Sequence, residues 1–287
     1  MHGVKTGLIG AGRVGCSLGK YLAEKGKTVT GFYSKSFESA AEAAEFTSTD
    51  SLSVMAFHDM EELVTLSDTL IITTPDDEIG KVWDRMKEMS IDGRIICHVS
   101  GSLSSDVFTG IGKKQAYGAS IHPLLAFRDK YSSYKQLHNG FFTLEGDETA
   151  LRSMETLLQE LGNPYRIIER KAKAAYHCAA SILSNDVLAL LEVGYGLLQE
   201  CGFTEKEARE STASLIRGNV ENVLENGTLS SMTGPIVRGD VSTVEKHLQI
   251  LKGEDREIYL LLGKRLLQMA AINNPQKNYG KMEKLFL

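Results

Sequence analysis

Polar side chains at four-residue intervals mark one segment of the chain as a candidate site of proton transfer. Lys173, His177 and Ser181 lie four residues apart, and Asn185 continues the series one turn later. On a helix, this spacing places all four side chains on one face. Because the rest of the segment is rich in Ala, Leu and Val, we predict that the polar face lines a cleft. Lys173 or His177 would then donate a proton to the reacting group.

Further candidates follow predicted strands or lie in a loop that contains glycine. His98 and Ser100 end one apolar run, and His122 ends the next. Since the carboxyl ends of parallel strands face a common crevice, we predict that Ser100 or His122 hydrogen-bonds the reacting group. Arg238 is placed to reach a carboxylate or a phosphate. For each of these side chains a place in the core or at the surface is the alternative, and Asp240 could cap the next helix.

The segment Gly10-Ala11-Gly12-Arg13-Val14-Gly15 has the pattern of a dinucleotide-binding turn and stands between a predicted strand and a predicted helix. Gly10 permits a tight turn, Gly12 lets the backbone approach a pyrophosphate, and Gly15 allows the helix to pack closely on the sheet. The helix N-terminus would present free N–H groups to the phosphates. We therefore predict that this whole turn binds a dinucleotide; a glycine-rich turn without a ligand is the alternative.

The end of the second predicted strand indicates which dinucleotide is bound. NAD sites usually carry Asp or Glu there, whereas this chain has Ser34-Lys35-Ser36. Hydroxyls and an ammonium group accept a 2′-phosphate that a carboxylate would repel, and Arg13 could add a second cation. The sequence therefore favours NADP(H) over NAD, the alternative being a solvated loop in which Lys35 has no partner.

Two more strand ends are predicted to contact this cofactor. The run Thr69–Thr73 ends in Thr73-Thr74-Pro75, and the run Arg94–Val99 carries His98 near its end. In open α/β sheets, ligands bind at the carboxyl ends of the strands. We expect these residues near the ribose or the nicotinamide.

The order of the predicted elements defines the fold class. Short apolar runs alternate with helical segments through the first 169 residues, which predicts an α/β domain with a doubly wound, mostly parallel sheet at 1–169. Residues 170–287 are predicted to form an all-α domain. The predicted strands are Val4–Ile9, Thr28–Tyr33, Ser53–Phe57, Thr69–Thr73, Arg94–Val99, Ala116–Ile121, Phe141–Leu144 and Tyr165–Ile168. The main predicted helices are Val14–Lys25, Ile79–Met89, Glu148–Leu161, Lys171–Cys201, Thr204–Glu225, Val241–Leu251 and Asp255–Ile272, with a loop at Asn226–Asp240 and a loosely held tail at Asn273–Leu287.

Composition narrows the class of protein. The 287 residues carry a net charge of −5, which gives no support for nucleic-acid binding. The four cysteines are far apart and form no CxxC pair, so we expect buried reduced thiols rather than zinc ligands or disulfides. No secretory signal is recognised, and no apolar stretch is judged to approach the ~20 residues of a membrane span. We expect a soluble cytoplasmic protein.

Taken together, these motifs resemble those of the Rossmann-like oxidoreductases whose C-terminal half is a domain of unknown function. The motifs are the glycine turn, Tyr33-Ser34-Lys35-Ser36, His98-x-Ser100-Gly101, His122-Pro123, Lys173-x-x-Tyr176-His177 with Asn185, and Thr233-Gly234-Pro235 through Arg238-Gly239-Asp240. More distantly, the chain is similar to pyrroline-5-carboxylate reductase and to the β-hydroxyacid dehydrogenases, including 6-phosphogluconate dehydrogenase. The resemblance implies that an all-α second domain forms a dimer and completes the active site. The β-hydroxyacid enzymes use a Lys-x-x-x-Asn pair, and Lys173 with His177 stands in those positions here.

The resulting prediction is an NADPH-dependent reductase of a small carbonyl or imine, or the reverse dehydrogenase of a hydroxy acid, working between the two domains. A homodimer through the helical half is expected from this resemblance and from the Leu, Ala and Ile in Ile182–Leu198 and Ile258–Ile272. An NADP-binding regulator or scaffold without turnover is the alternative, although it would not need the polar helix face. A deazaflavin cofactor on the same fold also stays open.

Overall fold

The computed structural model describes residues 4–287 and contains one eight-stranded sheet. In chain order, its strands are β1 (Lys5–Ile9), β2 (Thr28–Tyr33), β3 (Met55–Phe57), β4 (Thr69–Ile72), β5 (Ile95–His98), β6 (Tyr117–Pro123), β7 (Phe142–Gly146) and β8 (Tyr165–Ile167). In space they follow the order β3-β2-β1-β4-β5-β6-β7-β8. All neighbouring strands are parallel except the antiparallel pair β6 and β7. The predicted doubly wound, mostly parallel sheet is confirmed.

The central strands are buried on both faces, which explains why they are continuous apolar runs in the sequence. All four residues of β4 are buried. Leu70 and Ile72 belong to one apolar cluster, whereas Ile71 between them belongs to another. Because neighbouring side chains on a strand point to opposite faces, the sheet has a separate core on each side.

Five helices cover the two faces of this sheet: α1 (Arg13–Glu24), α2 (Phe37–Thr47), α3 (Met60–Leu66), α4 (Asp76–Met86) and α5 (Glu148–Leu161). A sixth helix, α6 (Lys173–Ser181), follows β8. Helix α4 begins three residues before its predicted start. Its first turn is Asp76-Asp77-Glu78, which lacks the apolar periodicity of a helix but complements the positive N-terminal dipole.

The chain packs as two compact units, one ending at Asn185 and the other spanning Asp186–Leu287. The chain passes from one to the other inside a π-helical turn, Ile182–Asp186. The described part of the second unit is helical, as predicted, whereas the domain boundary at residue 170 stays a prediction. Its helices are α7 (Val187–Glu200), α8 (Glu205–Ser230), α9 (Pro235–Arg238), α10 (Val241–Ile250), α11 (Gly253–Asn273) and α12 (Gly280–Glu283).

The predicted loop at Asn226–Asp240 is wrong over much of its length. Helix α8 continues to Ser230 through a kink at Gly227, where φ is +78°. A short helix, α9, then begins at Pro235. Glycine adopts positive φ without steric cost, and proline suits the first position of a helix. Residues that normally interrupt a helix therefore bend one helix here and start another.

The expectation of a loosely held tail is also wrong. Tyr279, Met282 and Phe286 are each at most 7% exposed and belong to the core of the second unit. The Phe286 ring lies directly on Gly263 of α11, where it leaves no room for a Cβ atom. The three side chains are spaced three and four residues apart, which is a helical pattern hidden among polar neighbours.

Two smaller expectations need correction. Cys16 and Cys97 are buried free thiols as expected, but Cys178 and Cys201 are exposed. The continuous helix Arg170–Glu200 is long and apolar enough to span a membrane by length and composition alone, with a mean hydropathy of 1.3 in its most apolar window. That helix overturns the expectation that no apolar stretch reaches this length. None of the window is buried within the chain, which leaves a long apolar surface to be covered.

Candidate functional site

A cavity of about 650 Å³ lies where β1, β2 and β4 end. Parallel strands direct their carboxyl ends to this edge of the sheet, where ligands of open α/β folds bind. The cavity brings together seven of the predicted cofactor residues, Gly10, Gly12, Ser34, Lys35, Thr73, Thr74 and Pro75. It is also lined by Ile9, Ala11, Tyr33, Asp77, Glu78, Lys81, Val82 and Arg85.

The glycine turn has the backbone that a close-approaching ligand requires. Gly10 has a φ of +112°, which side chains rarely allow. A Cβ atom on Gly15 would collide with the Gly10 carbonyl and with Thr73, whose hydroxyl donates to the Gly10 oxygen at 2.8 Å. Around Gly12, by contrast, a Cβ atom would meet nothing within 4 Å. Two glycines thus shape the turn, while the third leaves open space at the first turn of α1.

Charged side chains surround the end of this cavity next to β2. Glu78 accepts hydrogen bonds from Lys35 at 2.6 Å and from Lys81 at 2.7 Å, and these two ammonium groups lower its pKa to about 2. Arg85 donates to the Tyr33 hydroxyl at 3.2 Å. Lys81, Arg85 and Glu78 were not predicted from the sequence. The i, i+4 spacing of Lys81 and Arg85 on the helix after β4 was the signal that could have indicated them.

Four predicted cofactor residues lie outside the cavity lining, as does Gly15 beneath the turn. Ser36 caps α2, accepting from the Ser39 N–H at 3.2 Å and donating to Glu38 at 2.7 Å. Arg13 and Val14 form the start of α1. His98 is completely buried: one ring nitrogen accepts from the Ser100 N–H and the other donates to the Ser104 carbonyl, both at 3.2 Å. Contact between these four and a cofactor stays a prediction.

A second cavity, of about 600 Å³, lies beside the end of β6. His122 lines it together with three members of the predicted polar face, His177, Ser181 and Asn185. The remaining lining residues are Leu124, Leu125, Ala126, Phe127, Tyr176, Ala179, Ala180, Leu183 and Ser184. His122 and the helix that carries His177, more than 50 residues apart in the sequence, therefore line one cavity.

Three side chains converge closely at one end of this second cavity. The Tyr176 hydroxyl lies 2.7 Å from Nδ1 of His122. A Cβ atom placed on Gly101 would lie 2.7 Å from the His177 ring and 2.9 Å from Nε2 of His122, so both rings abut the Gly101 backbone. Burial lowers the pKa of His122 to about 4, helped by the charge of Lys173. At neutral pH, His122 is therefore an uncharged imidazole.

Lys173, the first residue of the predicted polar face, does not line the second cavity. The residue is only 2% exposed, and its Nζ donates to the Ser100 carbonyl at 2.7 Å and to the Ser120 hydroxyl at 2.8 Å. Burial lowers the pKa of this ammonium group to about 8. Lys173 thus ties the start of α6 to Ser100, in the loop after β5, and to Ser120, in the middle of β6.

Ser100 belongs to a small polar cluster on the same loop. Its hydroxyl donates to Asp76 at 2.8 Å, and the Ser102 hydroxyl donates to the same carboxylate oxygen at 2.7 Å. Asp76 starts α4, directly after Thr73-Thr74-Pro75. Sequence analysis did not select Asp76, although its place after a strand end was a signal. The cluster connects the end of β4 to the end of the neighbouring strand β5.

Arg238 lies in the second unit, at the end of α9. Its guanidinium group contacts Asp240 through Nε at 2.9 Å and through a terminal nitrogen at 2.8 Å. Asp240 precedes α10, but its side chain makes no capping hydrogen bond to that helix. The suggested capping role of the Asp240 side chain is therefore wrong, and the carboxylate pairs with Arg238 instead. Contact of Arg238 with a substrate stays a prediction.

Comparison with known proteins identifies both parts of the chain. A family model for a Rossmann-like domain matches residues 2–123, and one for a domain of unknown function, DUF2520, matches residues 140–266. The chain therefore combines a Rossmann-like domain with a DUF2520 domain, which confirms the predicted resemblance. A search of curated proteins finds no match.

Solved structures share this fold along the whole chain. Protein TM1727 from Thermotoga maritima is 25% identical, with a TM-score of 0.73 over 94% of this chain and 99% of that one. An imine reductase from Pseudomonas sp. is 15% identical, with a TM-score of 0.63 over 94% and 98%. A reductive aminase from Aspergillus terreus, in complex with NADPH4, cyclohexanone and allyl amine, is 14% identical, with a TM-score of 0.60 over 99% and 100%. At such identities, the two enzymes establish a common fold.

Proposed function

We propose that this protein is an NADP(H)-dependent oxidoreductase that transfers a hydride to or from a small carbonyl or imine compound. The observation that carries the proposal is the pair of cavities along one sheet edge, the first containing the glycine turn and Lys35, the second containing His122 and His177. The first has the features of a dinucleotide site, and the second has groups that can exchange a proton. The hydride chemistry itself belongs to the cofactor.

The order of the strands supports a cofactor that runs along this edge. From β2, the sheet continues through β1, β4 and β5 to β6. Four steps of ~4.8 Å between neighbouring strands separate Ser34 from His122 by about 19 Å. A dinucleotide whose 2′-phosphate lies at Ser34 and Lys35, and whose pyrophosphate lies at Gly12, would direct its nicotinamide towards Asp76 and Gly101. The second cavity would then hold the substrate.

Charge favours a neutral or cationic substrate over a hydroxy acid. Among the described residues, those that line the second cavity include no Lys or Arg, and the ammonium group of Lys173 is sealed beneath the loop. Asp76 adds a carboxylate at the neighbouring strand end. A carboxylate substrate would lack a cation there, whereas a ketone, an imine or an iminium ion requires none. The imine and amine chemistry in the names of two structural relatives agrees with this choice.

Cofactor binding and turnover test the proposal separately. Dissociation constants for NADPH and NADH would be measured by titration calorimetry, and a preference for NADPH of about tenfold or more is expected, as a 2′-phosphate contact would give. Equal affinities would refute the choice of NADP(H).

Oxidation of NADPH would then be followed by absorbance with cyclohexanone, 1-pyrroline, cyclohexanone plus allylamine, and pyruvate as the anionic comparison. Turnover of a carbonyl or an imine, with little or none of pyruvate, is expected. Binding of NADPH without turnover of any of these compounds would favour the alternative, an NADP-binding protein without enzymatic activity.

We also infer that the protein acts as a homodimer formed through its helices. The second unit exposes large apolar side chains on several helices, including Leu188 at 63%, Leu224 at 80% and Leu261 at 71% exposure. Most symmetric oligomers are dimers with a twofold axis, which covers the same apolar patch on both subunits. A cytoplasmic location stays a prediction.

A further inference from the structure

We propose that the hydroxyl of Tyr176 is the proton source for the reaction and that His122 is its hydrogen-bonded partner. The inference rests on the proposed function and names the acid within that site. It differs from the sequence-based choice of Lys173 or His177. Tyr176 lies on the same helix, one residue before His177, and does not belong to the predicted polar face of Lys173 and His177.

The geometry of the second cavity supports this pair. Tyr176 and His122 both line the cavity, and their polar atoms are 2.7 Å apart, which is the distance of a short hydrogen bond. The two rings are perpendicular, with centroids 5.5 Å apart, so the contact is made edge-on by the polar atoms. Nε2 of His122 points towards Gly101, on the loop between β5 and β6 where the nicotinamide is expected.

Both possible proton arrangements lead to the same source. If Nδ1 of His122 carries the proton, it donates to the Tyr176 oxygen, and the tyrosine proton is free to pass to the substrate. If Nε2 carries the proton, Nε2 gives it to the substrate while Nδ1 receives the tyrosine proton. Either route ends with a tyrosinate that accepts a hydrogen bond from Nδ1–H. The net proton therefore comes from Tyr176.

The step balances for reduction of an imine. A hydride from NADPH forms the new C–H bond while the C=N π pair moves to nitrogen, and that nitrogen takes the Tyr176 proton. The products are the amine, NADP and a tyrosinate, which regains a proton from water. As the C=N π pair moves to nitrogen, that nitrogen becomes a far stronger base than a phenolate, so transfer of the Tyr176 proton is favourable.

The surroundings of the pair favour this chemistry. The groups that act electrostatically on His122 are Lys173, His177, Asp76 and His98. Burial keeps His122 uncharged and raises the pKa of Tyr176, so the hydroxyl stays protonated at neutral pH. Nζ of Lys173 lies 6.0 Å from the centre of the Tyr176 ring, where its charge stabilises a transient tyrosinate. Lys173 itself cannot touch a substrate, so it acts as a positioning residue.

Three variants test the assignment in the full-length protein. Tyr176→Phe keeps the ring and removes the proton, so kcat should fall by about 100-fold while the NADPH dissociation constant stays within about twofold. Tyr117→Phe is the matched control, because Tyr117 lies at the far end of β6 and its hydroxyl makes no hydrogen bond to the described residues. Lys173→Met should change the pH profile rather than abolish turnover.

The pH profile distinguishes the three candidate acids. With Tyr176 as the acid, kcat of Lys173→Met should stay level between about pH 6 and 9, whereas wild-type kcat should decline above about pH 8, where Lys173 loses the charge that acts on the tyrosinate. Lys173 as the acid would make kcat fall above its pKa of about 8, and a histidine of ordinary pKa would make it fall above about 6.5. Unchanged kcat in Tyr176→Phe, loss of nearly all turnover in Lys173→Met, or a fall of wild-type kcat above about pH 6.5 would overturn the proposal.

A second measurement separates the pair from the proposed function. In protein labelled with ¹⁵N-histidine, the Nδ1 resonance of His122 should shift in Tyr176→Phe and not in Tyr117→Phe. An unchanged resonance would show that Tyr176 and His122 are not hydrogen-bonded, even if the enzyme is active. If the wild type oxidises NADPH with no compound of the panel, the proposed function fails and the catalytic role fails with it. A shifted resonance would then show that the hydrogen bond between Tyr176 and His122 exists without a catalytic role.

Discussion

At the scale of single residues, the same amino acid type does different work depending on what surrounds it. Gly10, Gly12 and Gly15 all belong to one motif, yet two of them are required by packing or by positive φ and the third faces open space. The functional interpretation therefore depends on Gly12 more than on its neighbours. A substitution there separates ligand binding from folding.

We predict that Gly12→Ala lowers NADPH affinity by tenfold or more, about 1.4 kcal/mol, because the new methyl group occupies the space of the pyrophosphate. The variant should lose at most about 1 kcal/mol of unfolding free energy, because its Cβ meets no protein atom within 4 Å and the main cost is the preference for Gly over Ala at the N-cap of α1. Titration calorimetry and urea denaturation would measure the two effects. Gly112→Ala is the control, as that position is equally open and lies outside the cavity lining. If Gly12→Ala bound NADPH as tightly as the wild type, the glycine turn would not be part of the binding site.

The buried Lys173 should make stability depend on alkaline pH. Its pKa is about 8 in the folded chain and 10.5 ordinarily, so between these values the unfolded chain binds more protons. Stability conferred by this residue therefore increases from pH 8 to 10.5 and is constant below pH 8. The difference in Tm between wild type and Lys173→Met should shift in favour of the wild type across that window. Lys171→Met, at a lysine whose side chain is 86% exposed, should show no such trend.

At the scale of elements, the position of α6 depends on an ionic anchor just before it. Arg170 contacts Asp106 at 2.6 Å, Asp147 at 3.0 Å and Glu145 at 3.1 Å. Glu145 is 1% exposed and also accepts from the backbone and the hydroxyl of Ser105. The start of α6 is thus attached to β7, to the turn at Asp106 and to the loop before α5. Tyr176 and His177 take their positions from this attachment.

Removing the Arg170 side chain should lower the free energy of unfolding. Arg170→Met leaves the buried Glu145 carboxylate without its cation, and we expect unfolding free energy to fall by about 1–3 kcal/mol in urea denaturation. Arg152→Met is the matched control, because Arg152 pairs with Glu148 on an exposed helix surface and should contribute less than about 1 kcal/mol. Equal losses in the two variants would contradict the anchoring role.

How far the elements follow from the sequence depends on their pattern. The glycine turn, β2 and α5 have the predicted bounds to within a residue, because apolar runs and glycine spacing are local signals. The path from α8 to α9 was missed because Gly227 and Pro235 look like loop residues until their neighbours are known. The packing of the tail was missed because Phe286 can enter the core only where Gly263, on a distant helix, leaves space for its ring.

At the scale of the whole molecule, the exposed apolar helix surface is the basis of the proposed homodimer. We predict that light scattering in detergent-free buffer gives twice the chain mass of 31.5 kDa. Leu224→Lys places a charge on a side chain that is 80% exposed, so it should weaken the dimer without disturbing the fold of the chain. Circular dichroism would check the fold. A wild type that stays monomeric at all concentrations, or that needs detergent to remain in solution, would contradict the prediction.

The sequence by itself determined the doubly wound sheet and the helical second half, and it predicted the glycine turn and the polar face that begins at Lys173, because each depends on spacing along the chain. Tertiary structure decided which polar groups meet. Helical periodicity placed Lys173 and His177 on one face, but only the tertiary structure shows that Lys173 donates to Ser100 and Ser120 while His177 lines the cavity. Likewise, the contact between Tyr176 and His122 joins residues 54 positions apart. Such contacts arise from packing between distant segments, and no local pattern encodes them.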